Sequence, residues 1–391
     1  MTEISLKESA ALLRNWTIRE ALPLWATAGF DSATGRFRET LTLKGEPVLE
    51  GPTRLITQAR QVFSYALAAR RGWYPGANTV VESAYAAMVR DYHEPDGKVG
   101  WVYSVHGDGR IGDARRDLYS HAFALLAISS YIRATGRRED LALADRTLAY
   151  IDCDMHAPSS GGYLEGLPLT GAPRRQNPHM HLFEALLSLW TTTREHRYLA
   201  RAGEIFGLFT SRFFRAPGIL GEYFDEALQP AAGEKGTIVE PGHHSEWVWL
   251  LRWFEHETGR SVQPYVDALY AHAARHGYDE AGLMVDEVQI DGKHRLLSHR
   301  TWPMTEALKA NVAEAAAGRP GAAAKAAEVA TLLHRHFLTA AYPGGWMDRL
   351  DIKNAPAAPN MPASTLYHVL CAIDELDRVA EEGQTDAKYS V

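Results

Sequence analysis

Two segments of the chain place a histidine three residues before a glutamate, where an apolar helical pattern begins. They read NPHMHLFEA and EPGHHSEW, and the pairs are His181 with Glu184 and His243 with Glu246. Side chains three residues apart share one face of a helix. Imidazole titrates near neutrality, and a neighbouring carboxylate orients the ring and raises its basicity. The two pairs therefore predict proton transfer at helix starts.

Each segment also contains a second histidine that helix geometry turns aside. His179 precedes His181 by two residues, which places the two side chains about 200° apart around the helix axis. His244 directly follows His243 and likewise leaves the shared face. We therefore expect His181 and His243, together with His368 of the late LYHVL segment, to line a pocket, with His179 and His244 supporting the helix starts.

Other kinds of chemistry have weaker signals. Histidine with carboxylate can bind zinc, iron or manganese, but H-E-x-x-H and a cysteine cluster are both missing from the sequence. The segment GDGRIG at 107–112 matches G-x-G-x-x-G by letter and lacks the surrounding βαβ pattern of a dinucleotide site. A G-x-S-x-G nucleophile turn is also missing. We expect neither a metal nor another cofactor.

Composition narrows the class of protein. The chain has 391 residues, 46% hydrophobic and 23% charged, with a net charge of −7. Such a balance provides no basic surface for nucleic acid or an anionic membrane. Cys153 and Cys371 are the two cysteines, which favours a reducing, cytoplasmic location over a disulfide scaffold. We read no signal peptide and no membrane span, and we expect a monomer or homodimer.

A glycine turn recurs along the chain. In each copy an aromatic or large apolar residue follows the glycine within two positions, as in TGRFRETL and GGWMDRLD. The glycines are Gly35, Gly100, Gly162, Gly221, Gly282 and Gly345. The steps between them are 65, 62, 59, 61 and 63 residues. Six copies at a nearly constant interval indicate a repeat architecture.

The segments between the turns have helical periodicity, with two predicted helices per repeat. The predicted pairs are 7–29 and 52–71, 76–92 and 115–135, 139–153 and 178–194, 197–213 and 242–258, 262–276 and 300–317, and 322–339 and 362–383. Repeated helix pairs bury their apolar faces on their neighbours. We predict an all-α (α/α)6 barrel forming a single domain over 1–391. The second helix of each pair lies inside, short hairpins lie at one mouth, and 383–391 forms a frayed tail.

A closed barrel would gather the starts of its inner helices around one mouth. Polar and aromatic residues mark all six starts: Arg54, His121, His181, Glu184, His243, Glu246, Trp302, Glu306 and His368. Concave sites with a few convergent polar groups are the usual ligand sites. We therefore expect these residues to share one pocket that binds the substrate.

The segments NPHMHLFEA, EPGHHSEW, TWPMTEA and STLYHVL, in this order and spacing, resemble the N-acylglucosamine 2-epimerase superfamily. Within it, the mannose isomerase branch and the related sulfoquinovose isomerases are most similar. The resemblance covers nearly the whole chain, from TRLITQAR to STLYHVL. It implies an (α/α)6 barrel that interconverts sugars at carbons 1 and 2 without a metal.

The resemblance also implies roles for individual residues. The acid/base histidines of the family fall on His243 and His368 of this chain. Its remaining site positions fall on Arg54, His181, Glu246 and Trp302. Cellobiose epimerases carry an aromatic residue two positions before the last histidine, whereas this chain has Leu366. This departure argues against a disaccharide substrate.

The resulting hypothesis is an aldose–ketose isomerase of a free hexose, foremost D-mannose and D-fructose, acting through a cis-enediolate. Arg54 with His181 would stabilise the negative oxygen, and Glu246 would hold a histidine in the useful tautomer. The alternatives are a sugar 2-epimerase of mannose/glucose, N-acylglucosamine or cellobiose type, and a sulfoquinovose-type isomerase. A different class, a glycoside hydrolase, would use paired carboxylates among Glu246, Glu306 and Asp225. A third is a binding protein without catalysis.

Overall fold

The computed structural model describes residues 5–171, 173–339 and 342–382, and within them the chain forms the expected all-α (α/α)6 barrel. The helices are α1 Leu6–Trp16, continued by a π turn Thr17–Ala21 and Leu22–Thr27; α2 Leu55–Arg71; α3 Ala77–Tyr92; α4 Leu118–Thr135; α5 Leu141–Asp154; α6 Asn177–Thr193; α7 His196–Leu208; α8 Pro241–Thr258; α9 Gln263–His276; α10 Thr301–Ala316; α11 Ala322–Leu333; and α12 Leu366–Glu382. Short turns of 3₁₀ helix cover Arg138–Asp140, Gly233–Thr237 and Ala363–Thr365, and π turns cover Phe209–Phe213 and His334–Leu338. The predicted tail 383–391 lies outside the described residues.

The even-numbered helices form the inner ring. Each packs against the next, and α12 packs back against α2, which closes the barrel. These helices are buried on nearly every side, as in α2, where every residue from Leu55 to Ala68 is buried. A helix that is apolar all round requires such an environment. Across the described ranges, no helix is both long and apolar enough to cross a membrane.

Each outer helix packs against the inner helix that precedes it in the chain, from α2 with α3 to α10 with α11. The sequence analysis grouped each outer helix with the inner helix that follows it, as 7–29 with 52–71. These grouped helices are not the ones that pack together, so that pairing is wrong. Inner helices are followed by short connections, such as that from Thr193 to His196, and short connections make antiparallel neighbours. Helix α1 has no inner helix before it and packs against α11 and α12 instead, completing the outer ring.

The long connections from outer to inner helices carry short antiparallel strands. Hairpins within one connection pair Phe30–Asp31 with Arg36–Phe37, Ser104–Val105 with Ile111–Asp113, Phe214–Arg215 with Ile219–Leu220, and Glu287–Gln289 with His294–Leu296. Pairs between neighbouring connections join Thr53–Arg54 to Ser104–Val105, Arg116–Asp117 to Gly166–Leu167, Arg174–Arg175 to Tyr223–Phe224, Ile238–Val239 to Glu287–Gln289, His299–Arg300 to Arg349–Leu350, and Asn360–Pro362 to Thr40–Thr42. The mouth therefore has the expected hairpins and also a ring of pairs that links all six repeats.

The repeated glycine of these connections has a backbone that other residues rarely adopt. In the six connections this glycine is, in chain order, Gly35, Gly100, Gly161, Gly218, Gly282 and Gly344, with φ between 75° and 136°. The sequence-based choice of Gly162, Gly221 and Gly345 is off by one to three residues. Four positions after the glycine stands a polar residue, in chain order Glu39, Ser104, Glu165, Glu222, Asp286 and Asp348. The five carboxylates each bind the side chain of a residue at an inner-helix start: Arg54, Arg175, His243, Arg300 and Thr365.

Substitution of Gly344 by alanine should destabilise the fold. Gly344 has φ +80°, and a Cβ there would collide with the carbonyl oxygen of Glu20. Left-handed strain of about 1–2 kcal/mol and overpacking of about 1–3 kcal/mol should together lower the free energy of unfolding, measured by urea titration. Gly318, with φ +82° and open space at its Cβ, supplies the matched control. Gly318→Ala should cost the strain alone, and equal losses for the two variants would contradict this account.

Candidate active site

The first turns of four inner helices bring most of the predicted residues together. Helix α6 provides His181 and Glu184, α8 His243 and Glu246, α10 Trp302 and Glu306, and α12 His368. The ring centroid of Trp302 lies 4.9 Å from that of His243 and 5.9 Å from that of His368. His181 Nε2 lies 3.9 Å from Glu246 Oε1. The barrel thus joins residues up to about half the chain apart.

His243 is held by a carboxylate that sequence reasoning missed. Its Nδ1 lies 2.9 Å from Oε2 of Glu222, which also accepts a hydrogen bond of 3.1 Å from Gln176. Burial opposes a charge on this ring, but Glu222 and Glu240 outweigh it and raise the pKa of His243 to about 9. His243 is therefore an imidazolium at neutral pH. The available signal was the repeat itself, since Glu222 occupies the carboxylate position after the glycine turn.

His368 has the opposite electrostatic environment. Its Nδ1 lies 2.7 Å from Oε1 of Glu306. Burial, followed by the positive charges of Arg60 and Lys309, lowers the pKa of His368 well below its ordinary value. The surroundings of His368 therefore favour the neutral ring, whereas those of His243 favour the imidazolium. Two titratable groups driven apart in this way are typical of an acid and a base in one site.

His181, like His243 and His368, is held by a carboxylate at its Nδ1. Its Nδ1 lies 2.9 Å from Oε2 of Glu184, and the Glu184 carboxylate also accepts a hydrogen bond from the hydroxyl of Tyr367. In all three site histidines Nδ1 contacts a carboxylate, while Nε2 has no hydrogen bond to any described residue. Which nitrogen carries the proton is set by the hydrogen bond that the other makes. The Nε2 atoms are thus the ones available to a ligand.

Glu246 does not hold a histidine, contrary to expectation. Both of its carboxylate oxygens are buried without a hydrogen-bond partner in the described structure. Its nearest charged neighbours are His181 Nε2 and Lys309 Nζ, each 3.9 Å from Oε1. The orienting role falls instead to Glu222, Glu306 and Glu184. Since a buried polar group needs a hydrogen bond, Glu246 is equipped to accept one from a ligand.

The arginine whose charge acts on His368 is Arg60 and not Arg54. The Arg54 side chain is 39% exposed and donates a hydrogen bond of 2.6 Å from Nε to Glu39. Arg60, two turns into α2, is buried and donates to the Tyr119 hydroxyl at 2.8 Å. Its guanidinium lies 4.2 Å from the ring centroid of Phe123, and no carboxylate of the described chain pairs with it. Arg60 is thus the cation free to meet a developing negative charge.

The structure also corrects the prediction for His121. Its Nδ1 lies 2.8 Å from the carbonyl oxygen of Asp117, and its Nε2 accepts the backbone N–H of Trp101 at 3.1 Å. His179 and His244 have the same environment, with Nε2 accepting a backbone N–H from the glycine-turn segment that precedes each of them in the chain. Burial lowers the pKa of His121 to about 4. These three rings tie the connections to the inner helices, and His121 lies outside the cluster.

A cavity of about 890 Å³ opens at the mouth. Its lining includes Arg54, Tyr119, Arg175 and Tyr223, but not the three site histidines. The cavity and the cluster adjoin at Tyr119, whose ring centroid lies 5.1 Å from that of His181. Ligand pockets of several hundred Å³ accept small molecules. The site therefore consists of a wide entrance beside a buried histidine cluster.

Histidine and carboxylate atoms also meet closely enough to bind a metal. The groups whose ligand atoms lie within 4.8 Å of one another are His181, Glu184 and Glu246; Glu222, Glu240 and His243; and Glu246, Glu306 and His368. The first and third groups adjoin Lys309, whose Nζ lies 2.6 Å from Glu306 Oε2. The second contains His243, whose raised pKa disfavours the neutral form that a metal requires. Protein cations therefore already compensate these carboxylates.

Comparison with known proteins identifies the family of the chain. Residues 35–372 match the family model of N-acylglucosamine 2-epimerase (GlcNAc 2-epimerase). The chain belongs to this family. It is 36% identical over 379 residues to the mannose-6-phosphate isomerase of Rhizobium meliloti, covering 94% of this chain and 96% of the relative.

Two further relatives have different reactions in their names. The D-mannose isomerase of Thermobifida fusca is 26% identical over 292 residues, covering 68% of this chain and 69% of the relative. The structure of cellobiose 2-epimerase from Spirochaeta thermophila superposes with a TM-score of 0.85 at 25% identity, covering 96% of this chain and 97% of that chain. The protein is therefore an enzyme of the sugar epimerase and isomerase group.

Proposed function

We propose that the enzyme is an aldose–ketose isomerase of a free hexose, interconverting D-mannose and D-fructose. The observation that carries the proposal is the placement of His243 and His368 around Trp302, each with Nδ1 at a carboxylate and with their pKa values shifted in opposite directions. Isomerisation needs both a base for a carbon-bound proton and an acid for an oxygen. The D-mannose isomerase of Thermobifida fusca supports the choice of a free hexose, and the Rhizobium meliloti relative, named for mannose 6-phosphate, supports isomerisation of a mannose skeleton.

His368 is the base in this proposal. With its Nδ1–H donated to Glu306, the lone pair of Nε2 takes the proton from carbon 2 of the open-chain aldose. The electrons of that C–H bond move to form a cis-enediolate, with negative charge on the oxygen at carbon 1. Return of a proton from His368 to carbon 1 gives the ketose. Arg60 and His181 stabilise the negative oxygen as it develops.

His243 is the acid. As an imidazolium it protonates the oxygen at carbon 1, and it then accepts the proton that the hydroxyl at carbon 2 releases as that carbon becomes a carbonyl. Glu222 keeps His243 charged between turnovers. The unpartnered carboxylate of Glu246 accepts a hydrogen bond from a sugar hydroxyl, and Trp302 packs against an apolar face of the sugar. Arg54 and Glu39 lie at the entrance, and Glu184 and Glu306 act by orienting histidines.

A glycoside hydrolase would require two carboxylates free to reach a glycosidic bond. Glu306 is fully buried and in contact with His368 and Lys309. The exposed Asp225 accepts two backbone N–H groups of its own turn, from Ala227 and Gln229. These arrangements favour histidine chemistry over hydrolysis.

Incubation of the enzyme with D-mannose in heavy water, followed by NMR, tests the proposal. The expected product is fructose with deuterium at carbon 1, to the extent that the proton on His368 exchanges with solvent. Glucose formed without fructose would establish a 2-epimerase instead. Parallel incubations with mannose 6-phosphate, N-acetylmannosamine and cellobiose separate the substrate classes of the relatives. Conversion of one of these in preference to mannose would overturn the assignment of a free hexose.

A further inference from the structure

A lysine is buried directly behind the histidine cluster. Lys309 lies on α10 one turn after Glu306, and its side chain is fully buried. Its Nζ lies 2.6 Å from Glu306 Oε2, 3.9 Å from Glu246 Oε1 and 3.8 Å from the ring centroid of Trp249. Lysine is almost never fully buried unless it is paired. The position of this ammonium therefore calls for a specific role.

The surroundings of Glu306 explain what an ammonium can do there. The titratable and charged groups around Glu306 and His368 come from five inner helices: Lys309 on α10, His243 and Glu246 on α8, His181 and Glu184 on α6, Tyr367 and Cys371 on α12, and Arg60 on α2. Burial and Glu246 raise the pKa of Glu306 well above its ordinary value, and Lys309 is the strongest influence that opposes this rise. Among the groups around Glu306, Lys309 is therefore the one that most favours the ionised carboxylate.

We propose that Lys309 is a positioning residue that keeps Glu306 ionised, so that Glu306 fixes His368 in the tautomer with its proton on Nδ1. Both carboxylate oxygens of Glu306 lie close to a nitrogen: Oε1 is 2.7 Å from His368 Nδ1, and Oε2 forms a 2.6 Å ion pair with the ammonium that lacks hydrogen-bond geometry. This geometry suits a carboxylate, because a carboxylic acid would aim its own proton at one of these nitrogens. The inference rests on the proposed function in one respect, namely that Nε2 of His368 is the catalytic base.

Loss of the ammonium would reverse the tautomer. A protonated Glu306 donates its hydrogen to Nδ1 of His368, and the neutral imidazole then carries its own proton on Nε2. That nitrogen would have no lone pair for the proton on carbon 2. Glu306 and His368 would still be in contact, so the fold would persist while the base is disabled.

The decisive variant is Lys309→Met, which keeps an unbranched side chain, one atom shorter, and removes the charge. At pH 7 kcat should fall by about 10²-fold, the lower range of general-base contributions, with KM changed much less. Raising the pH ionises Glu306 again, so the ratio of variant to wild-type kcat should rise with pH. A purely structural role for Lys309 would lower activity equally across the pH range.

A spectroscopic measurement reports the tautomer without any substrate. In protein labelled with ¹⁵N-histidine, His368 should show a protonated Nδ1 and a bare Nε2 in the wild type, and the reverse in Lys309→Met. The signals are assigned by their loss in His368→Gln. Lys325→Met is the matched control, because Lys325 forms a 2.9 Å ion pair with Glu328 three residues away on the outer helix α11. It should change neither tautomer nor pH profile.

The outcomes separate the two proposals. An unchanged His368 tautomer in a folded Lys309→Met enzyme, checked by circular dichroism, would overturn the role of Lys309, whatever the substrate. A reversed tautomer would establish that role even if no hexose is converted, in which case only the proposed function fails. If Lys309→Met does not fold, wild-type His368 with its proton on Nε2 would itself contradict the proposal.

Discussion

Replacement of His368 by glutamine should reduce kcat for hexose conversion by about 10²–10⁴-fold, the range for loss of a positioned general base. Glutamine can keep a hydrogen bond to Glu306 through its amide, but it has no basic nitrogen to take the proton from carbon 2. His243→Gln should cause a loss of similar size, because the amide cannot donate and recover a proton as an imidazolium does. Steady-state kinetics with mannose measure both effects.

A histidine outside the site provides the control for these variants. His196 is exposed at the first position of α7, and His196→Gln should leave kcat and KM unchanged. Unfolding by urea should show that all three variants remain folded. Near-wild-type turnover by either His243→Gln or His368→Gln would contradict the assignment of that residue.

Replacement of Glu222 by glutamine should move the alkaline limb of the pH–rate profile to lower pH. In the wild type the pKa of His243 is raised to about 9, so activity that needs the imidazolium declines above that pH. Removing the negative charge of Glu222 destabilises the imidazolium, which then loses its proton at lower pH. The expected displacement is about 1–3 pH units, the usual effect of one close opposite charge. The measurement is kcat/KM against pH.

The repeat offers a matched control for Glu222. Glu165 occupies the same position of another repeat, where it binds Arg175 with hydrogen bonds of 2.6 Å and 2.8 Å. Glu165→Gln should leave the pH of the alkaline limb where it is, whatever its effect on the rate. If the alkaline limb of Glu222→Gln stays at the wild-type pH, the acid that titrates in this limb is not His243.

Local periodicity made much of the site predictable. The phase of a single helix separates His181 from His179 and His243 from His244, and the structure places the members of each pair accordingly. The same reasoning failed for His121. This residue also stands at an inner-helix start, but its Nδ1 contacts the carbonyl oxygen of Asp117, four residues earlier. His179 contacts the carbonyl oxygen of Arg175 in the same way. That spacing directs the ring to backbone groups and away from the cluster.

Contacts between repeats were harder to predict. Glu222 lies 21 residues before His243, and their contact depends on how one connection docks against the start of α8. Arg60 and Arg54 belong to the same stretch of sequence, and only the tilt and packing of α2 decide which of them reaches the histidines. The prediction of which outer helix pairs with which inner helix failed for a similar reason. Periodicity locates the helices but does not show which neighbour each one contacts.

The fate of the hydrogen at carbon 2 tests the central claim most directly. With [2-²H]mannose, the rate at which deuterium leaves carbon 2, to water or to carbon 1 of the ketose, is followed by NMR for the wild-type and His368→Gln enzymes. The account predicts that the wild type breaks this bond during turnover and that His368→Gln does so at least about 10²-fold more slowly. Loss of the deuterium at the wild-type rate in His368→Gln would mean that another group is the base.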